Sequence, residues 1–398
     1  MSLLEEVLEG ELSLKDVGDE VDPDEAARVR REALEEWTDA SLDSVGNTCL
    51  GGDEVEGNVE NFFGTVQVPL GAAGPLNVDG DEAEGDYYLP LATTEGALVA
   101  SVNRGCSAIA ESGGATARIF DDGMTRAPVF RTRGVEETRD TVDWVRENAD
   151  AVRDRAESTT EHGELLGVEP HVAGDNLYLR FGYDTKDAMG MNMATRATSA
   201  ACELVEEETG AELIALSGNV CADKKPAAVN VVEGRGKTVT ADVVLDEETV
   251  ERKLKTTPES VSEVVERKTH VGSARAGTLG ANAHAANVVA GVFVATGQDV
   301  AQVVEASSTF TTATVREGGL YVSVTLPSLE LGTVGGGTSL PTQEECLSVI
   351  GVDGGGNPEG SNADELAEVV AGGVLAGEIS LHAALASRHL DSAHDELA

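Results

Sequence analysis

The sequence contains few of the residues from which metal centres and disulfide frameworks are built. Its 398 residues include five cysteines, an odd number scattered along the chain, and no CxxC pair or HExxH motif. A zinc site and a disulfide framework therefore have little support, and the pattern is typical of reduced thiols in a cytoplasm. The cysteines are Cys49, Cys106, Cys202, Cys221 and Cys346.

Positive charge is also scarce. The chain has 28 Lys plus Arg against 72 Asp plus Glu, a formal net charge of -44. One interpretation is an acidic surface that repels nucleic acid and anionic membranes and seeks a cationic partner. The other is a surface kept soluble in molar salt, where a Debye length of about 3 Å screens self-repulsion. The acidic residues are spread from Glu5 to Glu396 rather than gathered in a tail, which favours salt adaptation.

The long apolar stretches of the sequence contain strongly polar residues that a membrane span would not tolerate. The most apolar candidate, residues 273–296, carries Arg275, Asn282, His284 and Asn287 and is predicted to be a buried helix. The first residues, MSLLEEVLEGELSLKD, are acidic where a signal peptide is basic. We expect a soluble, cytoplasmic protein.

The familiar nucleotide-binding motifs are missing. The segment Gly234–Thr238 ends like a P-loop, but the first glycine of that motif would fall at Val231. The three GxG pairs, which begin at Gly234, Gly335 and Gly354, lack the third glycine of a Rossmann fingerprint. A dinucleotide, if the chain binds one, is expected to use another architecture.

The distribution of apolar residues predicts an α+β protein with three units. Residues 1–63 form a small helical domain, in which Asp22-Pro23-Asp24-Glu25 begins a helix. Residues 127–216 alternate strand, helix, strand, helix and strand, which is compatible with a ferredoxin-like insert. Residues 64–126 and 217–398 form a large domain around the central helix predicted at 273–296.

Four polar residues stand in contexts that suit catalysis, and each also has an ordinary structural explanation. Glu95 could simply begin a helix, and Lys224 could belong to a surface charge run in SGNVCADKK. Asp299 could merely end an apolar helix, and His394 could be an isolated histidine without a function.

Nine motifs, in this order, make the chain resemble class I 3-hydroxy-3-methylglutaryl-CoA (HMG-CoA) reductases. They are PLATTEGALVASVNRGCSAI, DGMTRAPVFR, NLYLRF, DAMGMNM, SGNVCADKKPAAVN, EGRGK, GSARAGTLGANAHAAN, ATGQDVAQ and LELGTVGGGTSLP. The resemblance implies a helical N-terminal domain, a large domain around a central helix, and an inserted ferredoxin-like domain that holds NADPH. It also implies a homodimer or homotetramer with active sites at the subunit interface.

The resemblance assigns roles residue by residue. Catalysis falls on Glu95, Lys224 and Asp299, with His394 as the proton donor to the departing thiolate. The hydroxymethylglutaryl pocket falls on Arg126, Ser217, Asp223, Lys225, Lys268 and Asn287, and the CoA side on Ser101, Asn103, Arg104, Lys255 and His284. Binding of the nicotinamide cofactor is assigned to Asp187, Met189, Gly190, Met191, Asn192, Gly335, Gly336 and Gly337.

The chain departs from the animal members of this family in one functional pair. Their Ser-Arg pair, which grips the 2′-phosphate of the cofactor, aligns with Thr160-Glu161, and Glu161 would repel a phosphate. NADPH remains the expected cofactor, held by a cation that the sequence does not identify. Two alternatives stay open, a class II-like reductase that runs oxidatively with NAD and a catalytically dead CoA-binding module.

Overall fold

The computed structural model describes residues 2–395, with side chains as far as Ser387. The helices are α1 Leu3–Leu8, α2 Val17–Glu20, α3 Pro23–Thr38, α4 Asp43–Gly46, α5 Gly52–Val55, α6 Leu98–Glu111, α7 Val135–Glu147, α8 Ala149–Glu157, α9 Met191–Thr209, α10 Ala228–Glu233, α11 Glu247–Leu254, α12 Pro258–Val264, α13 Ser273–Ala276, α14 Ala285–Thr296, α15 Val303–Ala306, α16 Pro341–Ile350 and α17 Ser361–Asp395. The strands are β1 Leu70–Asp79, β2 Glu84–Ala92, β3 Ala115–Arg126, β4 Val129–Arg131, β5 Glu164–Ala173, β6 Asn176–Asp184, β7 Glu212–Ala215, β8 Gly236–Asp246, β9 Phe310–Arg316 and β10 Gly319–Leu329.

The N-terminal helices α1 to α5 have a small core of their own. It consists of Val7, Val17, Ala26, Val29 and Ala33. The predicted helix start is confirmed, because the Asp22 carboxylate accepts a hydrogen bond from the Glu25 N–H at 3.0 Å and Pro23 takes the first helical position.

A mixed sheet organises the larger unit. Strands β3, β8, β10 and β9 follow one another in antiparallel order, while β1 pairs with β2 and, in parallel, with β3. The interior faces of β8 and β10 alternate buried Val, Ala and Leu side chains, which form one cluster with α14 and α17. This cluster is the main core of the protein.

The long central helix of this unit is α17, so its predicted place at 273–296 is wrong. Residues 273–296 break into α13 and α14, because Gly277 and Gly280 take positive φ angles of 74° and 78° between them. α17 spans 35 residues and contacts α6, α11, α12 and α14 and five strands of the sheet.

In the part of the chain that the structure describes, one helix is long and apolar enough to cross a membrane. It is the Ser361–Ser387 part of α17, and 83% of its apolar window is buried inside the protein. Its apolar residues are therefore used by the core.

The smaller unit is a four-stranded antiparallel sheet with helices between its strands. Its strand order is β7-β4-β6-β5, and α7, α8 and α9 complete it. The sequence predicted three of these strands and missed β5, whose alternation is interrupted by a register shift between Leu165 and Gly167. The chain enters and leaves this unit at one place, where Gly218 N–H donates to the Ala127 carbonyl oxygen at 2.6 Å.

Candidate active site

The loop after β7 carries the predicted catalytic lysine. Three of its residues, Asn219, Ala222 and Lys224, have positive φ angles between 50° and 65°, so the loop is tightly coiled. Lys224 is half exposed, and its Nζ lies 2.7 Å from Asp299 Oδ2. The backbone N–H of Lys224 also donates to the buried Glu305 carboxylate, which fixes the position of the loop.

Asp299 combines a structural contact with an ion pair. It follows the left-handed C-cap of α14 at Gly297, and its carboxylate caps the next turn by accepting from the Ala301 N–H at 3.1 Å. The same carboxylate pairs with Lys224 through its other oxygen. The structure therefore brings together two of the three residues of the predicted catalytic trio.

A buried ionic cluster that the sequence analysis did not identify lies beneath the loop. Arg235 is fully buried and contacts Asp223, Glu305 and Glu330 at 3.0, 2.9 and 3.3 Å. Burial raises the pKa of Glu330 well above its usual range, and the neighbouring Glu305 carboxylate adds to the rise. The flanking glycines of Gly234-Arg235-Gly236 were the available signal, but they were considered as parts of nucleotide-binding and family motifs, not as neighbours of a buried cation.

Asp223 joins this cluster to the predicted substrate pocket. Burial favours its neutral form, yet the Arg235 guanidinium and the Gln302 amide hold its pKa below its usual value. Arg126, at the end of β3, places Nη1 3.8 Å from Asp223, and its buried Nε has no hydrogen-bond partner in the described chain. Lys225 donates to the Asp223 carbonyl oxygen at 2.9 Å.

Ser217 lies at the start of the same loop, with its Oγ 3.7 Å from Cys221 Sγ. Arg126, Ser217, Asp223 and Lys225 thus lie on or beside the loop that carries Lys224.

The third catalytic candidate lies in a second cavity of about 360 Å³. Glu95 is exposed there and shares the lining with Ser101, Arg104, His284 and Asn287. Within residues 2–395, no hydrogen bond or ion pair joins Glu95 to Lys224 or Asp299. Each chain therefore presents two groups of predicted site residues, a Lys224 group and a Glu95 group.

The Glu95 group is held by polar contacts to α17. Ser101 and Arg104 bond to Ser380, at 2.9 and 3.0 Å between side chains. Asn103 is exposed and accepts a hydrogen bond from the Gly74 N–H at 2.7 Å.

A fully buried glutamate, Glu378, fixes the start of α14. Its carboxylate accepts from the backbone N–H groups of Ala283 and His284, both at 2.8 Å, and from the Thr311 hydroxyl at 2.7 Å. This arrangement orients His284 and, one turn later, Asn287, yet the sequence offered no local signal for it.

Two predicted substrate residues, Lys268 and Lys255, are exposed. Lys268 lies on a π-helical segment, Val265–Gly272. Burial lowers the pKa of the nearby His382, and the positive charge of Lys268 lowers it further. Lys255 forms the left-handed C-cap of α11.

His394 lies on the last turns of α17, and its side chain lies outside the described residues.

The predicted cofactor residues form two loops that pack on each other. Ala188 pairs with Val334 as an isolated β-bridge, and the Asp187 carbonyl oxygen accepts from the Thr333 N–H at 2.8 Å. The buried Asp187 carboxylate is used structurally, because it accepts from the N–H groups of Gly356, Gly360 and Ala363 at 2.8–3.1 Å.

Around these loops, Met189, Gly190, Met191 and Asn192 run into α9. The Met191 sulfur lies 3.0 Å from Arg235 Nη2.

The glycine loop contacts the catalytic segment directly. A Cβ on Gly337 would lie 2.7 Å from the Gly297 carbonyl oxygen, so the two backbones touch two residues before Asp299. A Cβ on Gly335 or Gly336 would meet no atom within 4 Å, and both have positive φ. This open backbone face suits close approach by a flat or phosphorylated ligand.

An ammonium paired with a carboxylate, beside an open glycine loop, is an arrangement that suits the active site of an enzyme. The family profile for hydroxymethylglutaryl-coenzyme A reductase matches residues 26–398. The chain is 60% identical to the 3-hydroxy-3-methylglutaryl-coenzyme A reductase of Haloferax volcanii over 396 residues, covering 100% of this chain and 98% of that protein. It is also 60% identical to the enzyme of the same name from Halobacterium salinarum, covering 99% and 98%. The chain belongs to the HMG-CoA reductase family, as the motifs predicted.

A solved structure shows the same fold. It is the class II 3-hydroxy-3-methylglutaryl-CoA reductase of Streptococcus pneumoniae bound to NADPH, with a TM-score of 0.68, covering 94% of this chain and 100% of that one. At 19% identity this likeness speaks for the fold alone.

Proposed function

We propose that the chain reduces HMG-CoA to mevalonate and CoA in two steps, each consuming one NADPH, in the cytoplasm of a salt-adapted cell. The observation that carries this proposal is the 2.7 Å pair of Lys224 and Asp299 in the loop that also holds Arg126, Ser217 and Asp223. Bound NADPH would supply a hydride at each step. The residues of the chain then have to bind the acid, stabilise the oxyanion and deliver protons.

Lys224 is placed to stabilise the oxyanion. Its ammonium is anchored by Asp299 and by the backbone contact to Glu305, so little reorganisation is needed when negative charge develops on the carbonyl oxygen. Arg126 offers a cation to the free carboxylate of the substrate, since its Nε is unpartnered and its nearest acid is 3.8 Å away. Lys225, Lys268 and Asn287 complete this pocket in the proposal.

The CoA side is assigned to the Glu95 cavity. Ser101, Arg104 and His284 line it, Asn103 lies one residue from Arg104, and Lys255 is an exposed cation for the phosphates of CoA. Glu95 would donate the proton to the alkoxide formed in the second reduction.

The separation of the two groups supports a homo-oligomer with active sites at the subunit interface. Lys224 and Glu95 must act on one substrate, yet they lie in separate groups of the same chain. In a two-fold symmetric dimer the Lys224 group of one subunit would face the Glu95 group of the other, twice. Sedimentation equilibrium should give a dimer or a tetramer, and an active monomer would contradict this arrangement.

NADPH is assigned to the two packed loops, 187–192 and 335–337. Gly335 and Gly336 have open space beside their backbones, so the loop fits a group that approaches closely. Asp187 holds the loops together rather than contacting the cofactor through its carboxylate. We also propose the division into a helical domain at 1–63, a ferredoxin-like cofactor domain at 127–216 and a large domain at 64–126 and 217–398.

A direct assay tests the reaction and the salt dependence together. In ~3 M KCl, the protein should oxidise NADPH when HMG-CoA is added, and dilution to ~0.1 M salt should inactivate it because self-repulsion then reaches about 10 Å. Circular dichroism at both salt concentrations is the accompanying measurement of folding. No HMG-CoA-dependent oxidation with either reduced cofactor would refute the function. Full stability at low salt would refute only the salt adaptation.

His394 is assigned the protonation of the departing CoA thiolate, since an imidazolium is more acidic than a thiol. His394→Gln should slow the reduction of HMG-CoA at least ~100-fold, the lower end of the range for a lost general acid. The same variant should still reduce free mevaldehyde, which releases no thiolate. His389→Gln is the matched control and should have a milder effect. Equal loss of both activities at position 394 would indicate a structural role instead.

A further inference from the structure

A cavity of about 480 Å³ lies where the smaller unit meets the larger one. The smaller unit contributes Thr160, Lys186 and Arg196 to its wall, and the larger unit contributes Val334 and Gly356. Ala188 also lines it, and Val334 immediately precedes the open glycines at 335 and 336. The cavity therefore continues directly from the two loops assigned to the cofactor.

Three cationic or ionisable basic side chains line this cavity in a chain that has only 28 Lys plus Arg. Lys186 Nζ is held 2.6 Å from Asp184 and 3.6 Å from Glu164, and His162 Nδ1 lies 3.5 Å from Glu359. Arg196, on the second turn of α9, forms no ion pair or hydrogen bond within residues 2–395. Its guanidinium is the charge in this wall that remains available to a ligand.

One carboxylate in the wall, Glu359, would face a bound anion, and it lies 3.5 Å from His162 Nδ1. The Asp187 carboxylate accepts three backbone hydrogen bonds, which leaves it poorly suited to bind a ribose hydroxyl as acidic residues do in NAD-specific sites. Glu161, which the sequence suggested would repel a phosphate, is outside the lining, whereas its neighbour Thr160 is part of it. Arg196 and Lys186 therefore offer cations to a phosphate, while the engaged Asp187 carboxylate is not available to a ribose hydroxyl.

We propose that Arg196, supported by Lys186, binds the 2′-phosphate of NADPH in this cavity. The proposal rests on the proposed function and adds the residue that sets the preference for the phosphorylated cofactor. A guanidinium can meet a phosphate through two parallel hydrogen bonds, and a contact of about 3 Å is no longer than the Debye length at 1 M salt. Such a contact is retained at molar salt, which screens electrostatic attraction over longer distances.

Binding of cofactor fragments tests this without turnover. By titration calorimetry in ~3 M KCl, the wild type should bind adenosine 2′,5′-bisphosphate at least ~10-fold more tightly than 5′-AMP. Arg196→Gln should lose most of that difference while its affinity for 5′-AMP stays the same. Lys186→Gln should lose less, because Asp184 already neutralises Lys186. Arg139→Gln, a change of the same type on the exposed face of α7, should leave both affinities unchanged.

The steady-state counterpart is a rise in KM for NADPH in Arg196→Gln, with the values for NADH unchanged. Equal affinity of the wild type for the two fragments would overturn the proposal, as would wild-type behaviour of Arg196→Gln. Failure of the proposed function would look different, because the wild type would then reduce no HMG-CoA with either cofactor whatever the fragments showed.

Discussion

Lys224→Ala is expected to lower turnover at least ~100-fold while the affinity for HMG-CoA changes much less, because its ammonium is needed mainly when the oxyanion forms. The structure supports a larger effect on turnover than on substrate affinity. Lys224 is half exposed and held by Asp299, whereas Arg126 and Lys225 remain to bind the substrate acid. The measurement is kcat and KM for HMG-CoA in ~3 M KCl. Near-normal turnover would remove Lys224 from the mechanism.

The same variant can show whether the site is shared between subunits. If each site takes Lys224 from one chain and Glu95 from the other, a mixed dimer of Lys224→Ala and Glu95→Gln contains one intact site. Random reassembly of equal amounts of the two inactive variants should then restore about a quarter of wild-type activity. The matched control is the same reassembly with Lys224→Ala subunits alone. A mixture that stays inactive, although subunit exchange is demonstrated, would place both residues in one subunit's site.

Arg235→Met is expected to destabilise the protein by about 3–5 kcal/mol, because it leaves buried carboxylates without their cation. Glu305 and Glu330 are both fully buried around Arg235, and the Glu330 Oε2 atom has no hydrogen-bond partner in the described chain. Methionine fills much of the volume of arginine, so the loss measures charge rather than a cavity. Urea unfolding at constant KCl gives the free energy of unfolding.

Arg139→Gln is again the control, since its ion pair with Asp143 is exposed and should be worth less than ~1 kcal/mol. If Arg235→Met lowers the free energy of unfolding by no more than this control, the cluster does not stabilise the fold. The variant should also lose activity even where it remains folded, because Asp223 and the loop that carries Lys224 would lose their anchor.

Sequence motifs predicted the parts of this protein that are encoded locally. The helix start at Asp22 depends on a capping residue and the proline that directly follows it, and it is confirmed. The loop that holds Lys224 was found because its lysines stand in a long motif shared with a known family. The family itself is confirmed by two relatives at 60% identity.

Several contacts between residues far apart in the chain were not predicted. Arg235 meets Glu305 across 70 positions and Glu330 across 95, and no periodic pattern connects such partners. Glu378 likewise reaches His284 from 94 residues away. The central helix was misplaced because residues 273–296 and 361–387 are both apolar, and only the two glycines in the first stretch showed where it breaks.

The single hydrogen bond between Gly218 and Ala127 has a consequence for how this protein can be rebuilt. The chain leaves the large unit and returns to it at neighbouring backbone positions, since the Gly218 nitrogen lies 2.6 Å from the Ala127 carbonyl oxygen. Residues 128–217 therefore form a continuous segment between these two positions. A peptide link of a few residues would be long enough to close the large unit after their excision. A foreign domain with adjacent termini could be grafted at the same junction.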